Sequence, residues 1–264
     1  MPVFDYSPTC QVYYLDENIT SPNSVILLHG LGAHSGSWVL QTPALHQAGC
    51  RTIALDSPGF GRSTYPGGRT SINLFTAPII ALVDRMEIRQ TTVIGISMGG
   101  TMALQFTLDH PEHVSRLVLV NTFAHLNITS PRLLPYLLIR FILVHTLGLP
   151  TQANAVAKRL FPYSDQELLR QALIEQVNMA DPRAYRAAMR ALAWFDVRDR
   201  LREIRCPTLV VTGERDTTVP LETQYQLAQG ITGARQVVIP AAGHAVTVEK
   251  PEAFNQILVE FLCN

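Results

Sequence analysis

The sequence lacks an excess of charge of either sign. Lysine and arginine together number 21, and aspartate and glutamate also number 21, so the formal net charge is zero. A protein that neutralises many phosphates needs a basic surplus, so nucleic acid is not an expected partner. Charged residues make up only 16% of the chain and hydrophobic residues 47%. This composition excludes a disordered protein and a coiled coil, and it predicts a globular one.

Cysteine is scarce, and neither a leader nor a membrane span is evident. The four cysteines are scattered and form no C-x-x-C pair, which is typical of a reduced, cytoplasmic protein. No basic segment followed by an apolar one opens the chain, so no signal peptide is expected. The most apolar stretch, 133–149, contains Pro135, Arg140 and His145, which disfavours a transmembrane helix. We therefore expect a cytoplasmic protein without stable membrane insertion.

Motifs for cofactors and metals are missing as well. No G-x-G-x-x-G follows a predicted strand, and neither a P-loop nor a zinc pattern occurs. Gly59 and Gly61 form the nearest glycine pair, and it lacks a third glycine. His110 and His113 are three positions apart, but no third ligand lies in local register. We expect neither a cofactor nor a metal ion.

Short apolar runs alternate with helix-length segments along the 264 residues. Nearly continuous apolar runs indicate strands covered on both faces, so the alternation predicts an α/β fold with a largely parallel sheet. We interpret an earlier run, 11–15, as an antiparallel edge strand. The other predicted strands lie at 25–28, 52–55, 92–95, 117–120, 208–211 and 236–239, and the predicted helices at about 36–48, 71–87, 99–110, 220–229 and 250–262.

No strand pattern appears between about 122 and 204. Prolines divide this segment, and two helix starts are visible at 165–167 and 181–182, where a capping residue precedes an acid or a proline. The segment is too long for a plain loop. Because the strand pattern resumes afterwards, we favour a helical cap on one end of the sheet. A second, independent helical domain is the alternative.

Ser97 lies in the segment Gly-Ile-Ser-Met-Gly, residues 95–99, between a predicted strand and a predicted helix. This order is typical of a nucleophile elbow. Neighbouring chains crowd such a sharp turn, and glycines on both sides leave room because they lack a Cβ atom. Ser97 is therefore the candidate nucleophile.

A second glycine-rich turn, His-Gly-Leu-Gly at 29–32, follows the strand 25–28. It allows the loop to turn back, so that the backbone N–H of Leu31 points at the same place as that of Met98. Two fixed donors aimed at one point form an oxyanion hole. A simple strand-ending turn is the alternative interpretation, and His29 itself is interpreted as structural.

Asp216 and His244 each follow a predicted strand near the end of the chain. The ends of parallel strands are where α/β sheets place their sites. Glu214 is the rival carboxylate, and the other seven histidines are interpreted as structural. Ser97, Asp216 and His244 occur in the chain order serine, acid, histidine, which one hydrolase fold uses for its catalytic triad.

On this order and three further motifs, the chain resembles the α/β-hydrolase superfamily over essentially its full length. The motifs are a D-x-P-G-x-G-x-S loop at 56–63, the segment 206–220 with its Gly-Glu-Arg-Asp turn, and the segment 241–252 around a Gly-His pair. The resemblance implies a mostly parallel central sheet flanked by helices, with a helical cap inserted after the sixth strand. It implies a core domain of residues 1–121 and 205–264 and a cap of residues 122–204.

The resemblance also implies a serine hydrolase without a cofactor, similar to cap-bearing carboxylesterases, enol-lactonases and cofactor-free haloperoxidases. Ser97 attacks a carbonyl and forms an acyl-enzyme, His244 moves the proton, and Asp216 orients the imidazole. The amides of Leu31 and Met98 hold the oxyanion. The expected substrate is a small, fairly apolar carboxylic ester or lactone.

Two alternatives remain open. A carbon–carbon bond hydrolase or a lyase uses the same triad, although many such hydrolases have a tryptophan after the catalytic histidine, where this chain has Ala245. A slow-turnover receptor or binding module of the same fold is the other alternative. The sequence specifies no oligomeric state.

The cap segment supplies two groups of residues whose roles the sequence leaves open. Its large apolar residues are interpreted mostly as the cap's own core; they are Leu133, Leu134, Tyr136, Leu137, Ile139, Phe141, Trp194 and Phe195. A lactone substrate that is acidic needs a cation, and nothing in the sequence selects among four arginines: Arg132, Arg140, Arg159 and Arg190.

Overall fold

A computed structural model of the chain describes residues 2–68, 70–131 and 134–263. Within these residues eight strands form one sheet. They are β1 (Val3–Ser7), β2 (Cys10–Glu17), β3 (Asn23–Leu28), β4 (Cys50–Leu55), β5 (Thr91–Ile96), β6 (Val114–Val120), β7 (Thr208–Gly213) and β8 (Arg235–Ile239). Their order across the sheet is β1-β2-β4-β3-β5-β6-β7-β8. β3 to β8 are mutually parallel, whereas β2 lies antiparallel to both β1 and β4.

The predicted α/β fold is confirmed, with one correction at the edge of the sheet. The run 11–15 lies within β2, but β2 is not the edge strand, because β1 pairs with it on the outside. β1 has only one fully buried residue, Phe4. Its sequence therefore lacks the continuous apolar character by which the inner strands were recognised.

Ten α-helices lie within the described residues. They are α1 (Thr42–Gln47), α2 (Asn73–Arg85), α3 (Met98–Asp109), α4 (Leu134–Thr146), α5 (Gly148–Leu160), α6 (Glu167–Asn178), α7 (Pro182–Ala193), α8 (Leu221–Gly230), α9 (Val246–Glu249) and α10 (Pro251–Cys263). The helix predicted at 36–48 is wrong as a single element, because it divides into a 3₁₀ turn, Ser35–Trp38, and the short α1. Pro43 lies in the first turn of α1 and has no N–H to continue a helix from upstream.

Helices cover the sheet on both faces. In β3, Ile26 and Leu28 pack into one hydrophobic cluster, whereas Val25 and Leu27 pack into the other. Residues of α2, α3 and α8 join the first cluster, and residues of α1 and α10 join the second. Burial on both faces explains why the parallel strands read as continuous apolar runs. The same packing fixes the ends of the strands, and the candidate site residues come directly after these ends.

The segment between β6 and β7 contains four consecutive helices, α4 to α7. Asp181 caps α7 by accepting a hydrogen bond from the Arg183 amide, and its own amide donates to Gly59 O at 2.8 Å in the loop after β4. The helix starts predicted at 165–167 and 181–182 are confirmed. The division into a core of 1–121 and 205–264 and a cap of 122–204 stays a prediction. Among the described residues, no helix has both the length and the apolar character needed to cross a membrane.

Candidate active site

Ser97 stands on a strained turn between β5 and α3. Its backbone angles are φ 54° and ψ −116°, a combination that residues with a side chain rarely adopt. Its amide donates to Val120 O at 2.9 Å, so the turn is tied to the end of β6. A Cβ atom on Gly95 would collide with the backbone of Gly99, and one on Gly99 with Leu28 O. The two motif glycines therefore serve the close packing that the sequence predicts.

His244 and Asp216 are hydrogen-bonded to each other. The Nδ1–H of His244 donates to Asp216 Oδ2 at 2.8 Å. The Asp216 side chain is fully buried, and 9% of the His244 side chain is exposed. A carboxylate on Nδ1 fixes the tautomer that leaves Nε2 as the proton acceptor. The imidazole is thereby prepared to act as a base.

Three further donors hold the carboxylate of Asp216. Its Oδ1 accepts from the amides of Thr218 at 2.7 Å and Val219 at 3.0 Å. Its Oδ2 also accepts from the buried side chain of Gln224 at 3.2 Å. These bonds keep the carboxylate in place. The rival Glu214 is exposed and accepts instead from the Ala241 amide at 2.9 Å.

Two side chains that sequence reasoning missed hold the loop of His244. Asn121, at the end of β6, donates to the carbonyl oxygens of Gly243 at 3.0 Å and His244 at 2.6 Å. Glu249 accepts from the amides on both sides of His244, those of Gly243 at 2.8 Å and Ala245 at 2.9 Å. Only the Glu249 position carried a signal, since it lies in the segment 241–252 that carries the family resemblance.

The loop that carries Leu31 lies close to the turn of Ser97, and Met98 follows Ser97 directly. A Cβ atom on Gly30 would stand at van der Waals distance, 3.6 Å, from the Cβ of Ser97, so the loop after β3 passes directly over the turn. Met98 is the first residue of α3, where the helix dipole favours negative charge. Within the described part of the chain, no protein group accepts a hydrogen bond from the amide of Leu31 or Met98. Their assignment as an oxyanion hole stays a prediction.

His29 has a structural position, as expected. It is fully buried, with Nδ1 bonded to Gly30 O at 2.8 Å and Nε2 accepting from the Ser57 amide at 2.9 Å. Burial lowers the pKa of His29, which keeps the ring neutral, as the two bonds require. His29 thus connects the loop after β3 to the loop after β4.

Ser97 and His244 border the same cavity, whose volume is about 570 Å³. Its walls are mostly apolar and come largely from the cap segment. The interpretation of the large cap residues as a core is wrong for most of them: of the eight, only Phe195 is buried, and Leu133 lies outside the described residues. The cavity walls include Leu134, Tyr136, Leu137, Phe141 and Trp194. Their apolar surface faces the cavity and solvent.

The remaining candidates form no second centre. Among the residues that the structure describes, no group of three histidine, cysteine or acidic side chains could hold a metal ion. All four cysteines are described and free. His113 bonds the carbonyl oxygens of Ile88 and Arg89 at 3.3 and 3.1 Å, and His46 bonds Thr52 Oγ1 at 2.8 Å. These contacts agree with structural roles.

Comparison with known proteins places the chain in a family. Residues 23–251 match the family described as alpha/beta hydrolase fold. A protein of Caulobacter sp. (strain K31) that bears the name of a carbamate hydrolase, RutD, is 30% identical over 249 residues, which cover 90% of each chain. The 3-oxoadipate enol-lactonase 2 of Acinetobacter baylyi is 28% identical over 263 residues, 97% of this chain and 96% of that one. The crystal structure of the enol-lactonase from Burkholderia xenovorans LB400 superimposes with a TM-score of 0.90 at 26% identity and covers 100% of both chains.

The match spans most of the chain, so the protein belongs to the α/β-hydrolase family. The names of its relatives and its fold make it a hydrolase of that family. The resemblance that the motifs predicted is confirmed, and so is the expected fold.

Proposed function

We propose that the protein is a serine hydrolase that cleaves a small carboxylic ester or lactone through an acyl-enzyme. One observation carries the proposal: the imidazole of His244, bonded to Asp216 at 2.8 Å, borders the same cavity as the strained Ser97. Nucleophile, base and orienting carboxylate are the three parts that such chemistry requires.

The proposed reaction begins with the Ser97 hydroxyl, which is a weak nucleophile until a base takes its proton. His244 Nε2 accepts that proton while Ser97 Oγ attacks the carbonyl carbon. Asp216 stabilises the imidazolium that forms. The oxyanion then accepts from the amides of Leu31 and Met98, and loss of one such donor typically costs about 2.7–4 kcal/mol. His244 returns the proton to the leaving alkoxide, and water hydrolyses the acyl-enzyme by the same steps.

The apolar cavity supports a substrate with a mainly apolar body, because burial of such a ligand against apolar walls stabilises binding. Two relatives are named enol-lactonases, which supports a lactone as well as an open ester. The relative that bears a carbamate hydrolase name favours a carbamate as a second candidate. A carbamate has the same carbonyl centre, so attack by Ser97 would give a carbamoyl-enzyme.

We also propose that residues 122–204 form a cap domain on a core of 1–121 and 205–264, and that the protein is cytoplasmic. The cap is supported by its position over the cavity, to which α4, α5, α6 and α7 all contribute. The location is supported by the four free cysteines. Limited proteolysis tests the division, which requires cleavage near 122 and 204 before cleavage within the core.

The function is tested by assaying 4-nitrophenyl acylates, lactones, phenyl carbamates and vinylogous diketones with the wild type, Ser97→Ala and the control Ser115→Ala. Ser115 lies in β6, outside the cavity. We expect turnover of an ester or lactone, a loss of several orders of magnitude in Ser97→Ala, and wild-type rates in the control. Turnover of the diketones alone indicates a carbon–carbon bond hydrolase. Labelling of Ser97 by a fluorophosphonate without any turnover indicates a receptor.

A further inference from the structure

The cavity beside Ser97 is positively charged. Its walls include Arg140, Arg186 and Arg190, and among the described residues no aspartate or glutamate lines it. The chain as a whole has equal numbers of acidic and basic residues, so this asymmetry is local. A guanidinium keeps its charge at every physiological pH. A cavity with several cations and mostly apolar walls attracts an anion that carries an apolar body.

Of the three arginines that line the cavity, Arg140 is held by the most hydrogen bonds. Its Nη2 donates to the hydroxyl of Tyr185 at 2.8 Å. With the Gln152 amide turned so that its oxygen faces the guanidinium, Oε1 accepts from Nε at 2.7 Å and from Nη2 at 3.3 Å. Tyr185 and Gln152 are both fully buried. The guanidinium also lies 5.5 Å from the ring centroid of Tyr136. Partners on α5 and α7 thereby hold the guanidinium of Arg140, which lies on α4, in a single orientation.

None of these partners carries a negative charge. In the part of the chain that the structure describes, no carboxylate forms an ion pair with Arg140. Arg140 is half-buried, and a cation partly removed from bulk water without an opposite charge is costly. Neutral donors and acceptors would be enough to hold three helices together, and a charged group in this place adds a desolvation cost. A carboxylate bound in the cavity would offset that cost, and a guanidinium matches its two oxygens.

The other arginines are less suited to this role. Arg190 is exposed and donates to Thr70 Oγ1 at 3.5 Å. Arg159 donates to Thr217 O at 2.7 Å and stacks on Tyr136, but it does not line the cavity. Arg132 lies outside the described residues. Arg186 lines the cavity without a hydrogen bond or ion pair to any described residue, so it adds charge without a fixed orientation.

We propose that Arg140 binds a carboxylate of the substrate, so that the natural substrate is an anionic ester or lactone whose acid group lies among the cap helices. The inference rests on the proposed function, since it assigns the orientation of a substrate whose carbonyl reaches Ser97. Arg140 acts as a specificity-determining residue and takes no part in the bond-breaking steps. Arg186 lines the same cavity and adds to its positive electrostatic potential.

The test compares esters that differ only in charge. Mono-4-nitrophenyl esters of succinate, glutarate and adipate each carry a terminal carboxylate, and the 4-nitrophenyl esters of butanoate, pentanoate and hexanoate are their neutral counterparts. A second arm places the carboxylate in the leaving group, as in acyl esters of hydroxybenzoates, against acyl phenols. The enzymes are the wild type, Arg140→Met, Arg140→Lys and the control Arg183→Met. Arg183 is a cap arginine outside the cavity that pairs with Asp181 at 2.8 Å.

We expect the wild type to prefer the anionic ester in at least one arm. Arg140→Met should lower kcat/KM for that ester about 30-fold or more, mainly through KM, as expected when one partner of a buried charge pair is lost. For the neutral counterpart, kcat/KM of Arg140→Met should equal or exceed that of the wild type. Arg140→Lys keeps the charge but loses the two-pronged geometry, so it should recover part of the preference. Arg183→Met should match the wild type.

Two outcomes overturn the inference. One is a wild type without preference for the anionic ester in either arm. The other is a loss in Arg140→Met that is equal for charged and neutral esters, with a matching fall in melting temperature, which would make Arg140 a structural tie. Both leave ester hydrolysis by Ser97 standing. Failure of the proposed function is recognised separately, as absence of turnover for every ester together with absence of fluorophosphonate labelling in the wild type.

Discussion

The side-chain amide of Asn121 holds the backbone of His244. Its nitrogen donates to His244 O at 2.6 Å and its oxygen accepts from the Gly213 amide at 2.7 Å. Asn121 is fully buried and has a φ of 44°, a conformation that asparagine tolerates better than most residues. One side chain therefore connects the end of β6 to the end of β7 and to the loop that carries the candidate base.

This connection makes Asn121 a positioning residue. Asn121→Asp keeps the acceptor for Gly213 but places a carboxylate oxygen against two carbonyl oxygens. We expect kcat to fall about 10- to 100-fold with little change in KM, because His244 shifts relative to Ser97. The pH dependence of kcat/KM should also move, which a loss of stability alone would not cause. Asn154→Asp, on the exposed face of α5, is the matched control.

Asp216 and Glu214 provide a test of which carboxylate orients the base. Asp216→Asn keeps the shape but removes the charge from Nδ1 of His244, and we expect kcat to fall by about 10⁴. The side chain of Glu214 accepts from the Ala241 amide, and among the described residues it makes no hydrogen bond to His244. Glu214→Gln should therefore change kcat less than threefold. Steady-state ester hydrolysis measures both. Equal losses in the two variants would contradict the assignment.

Glu249 predicts a pH dependence of stability. Burial raises the pKa of Glu249 above its ordinary 4.5, and the amide bonds and His244 oppose the rise. At a pH between the ordinary pKa of the unfolded chain and the raised pKa of the folded protein, Glu249 is protonated in the folded protein and ionised in the unfolded chain. This group therefore makes the free energy of unfolding fall as pH rises through that interval and adds no slope above it.

Glu249→Gln removes this titration. Urea denaturation at several pH values from 4 to 8 should show a stability difference, wild type minus variant, that falls as pH rises through the interval and then stays constant. A difference that does not depend on pH, or one that increases with pH, would contradict a raised pKa. Glu252→Gln, at the start of α10 and exposed, serves as the control.

Helix α7 and the loop after β4 meet in a close contact that substitution can test. Gly59 has a φ of 82°, and a Cβ atom there would collide with Ala184 of α7. Gly59→Ala should cost stability for two reasons, strain at a positive φ and displacement of α7. We expect a lower melting temperature, and a KM that changes more than kcat because the cavity wall moves. Gly67→Ala is a useful comparison, because it has a φ of 74° but open space around it.

The sequence was most informative where strand ends carry the chemistry. Ser97, Asp216 and His244 lie far apart in the chain, but each follows a parallel strand, and parallel strands end at the same edge of the sheet. Their chain order then matches a known triad. The apolar runs predicted the inner strands because helices bury both faces of the sheet. The apolar runs did not predict the outer strand β1, because Phe4 is its only fully buried residue.

Contacts between distant loops could not be predicted from the sequence. Asn121 carried no signal in the sequence, since the three hydrogen bonds of its side-chain amide depend on the convergence of three strand ends. The cap residues were assigned wrongly for a related reason. Apolar side chains such as Leu134 and Phe141 look alike in sequence whether they fill a core or line a cavity, and only tertiary packing distinguishes the two. The selection of Arg140 among the cap arginines likewise required its partners.

In the proposed reaction, Ser97 is a nucleophile that His244 activates, and mass spectrometry of a trapped acyl-enzyme can detect this directly. The wild type is incubated with a slowly deacylating aryl ester, quenched in acid and digested. We expect an acyl group on the peptide that contains Ser97 in the wild type, and none in Ser97→Ala or His244→Ala. Turnover of the ester with the acyl group on another residue, or unchanged acylation of Ser97 in His244→Ala, would contradict this expectation.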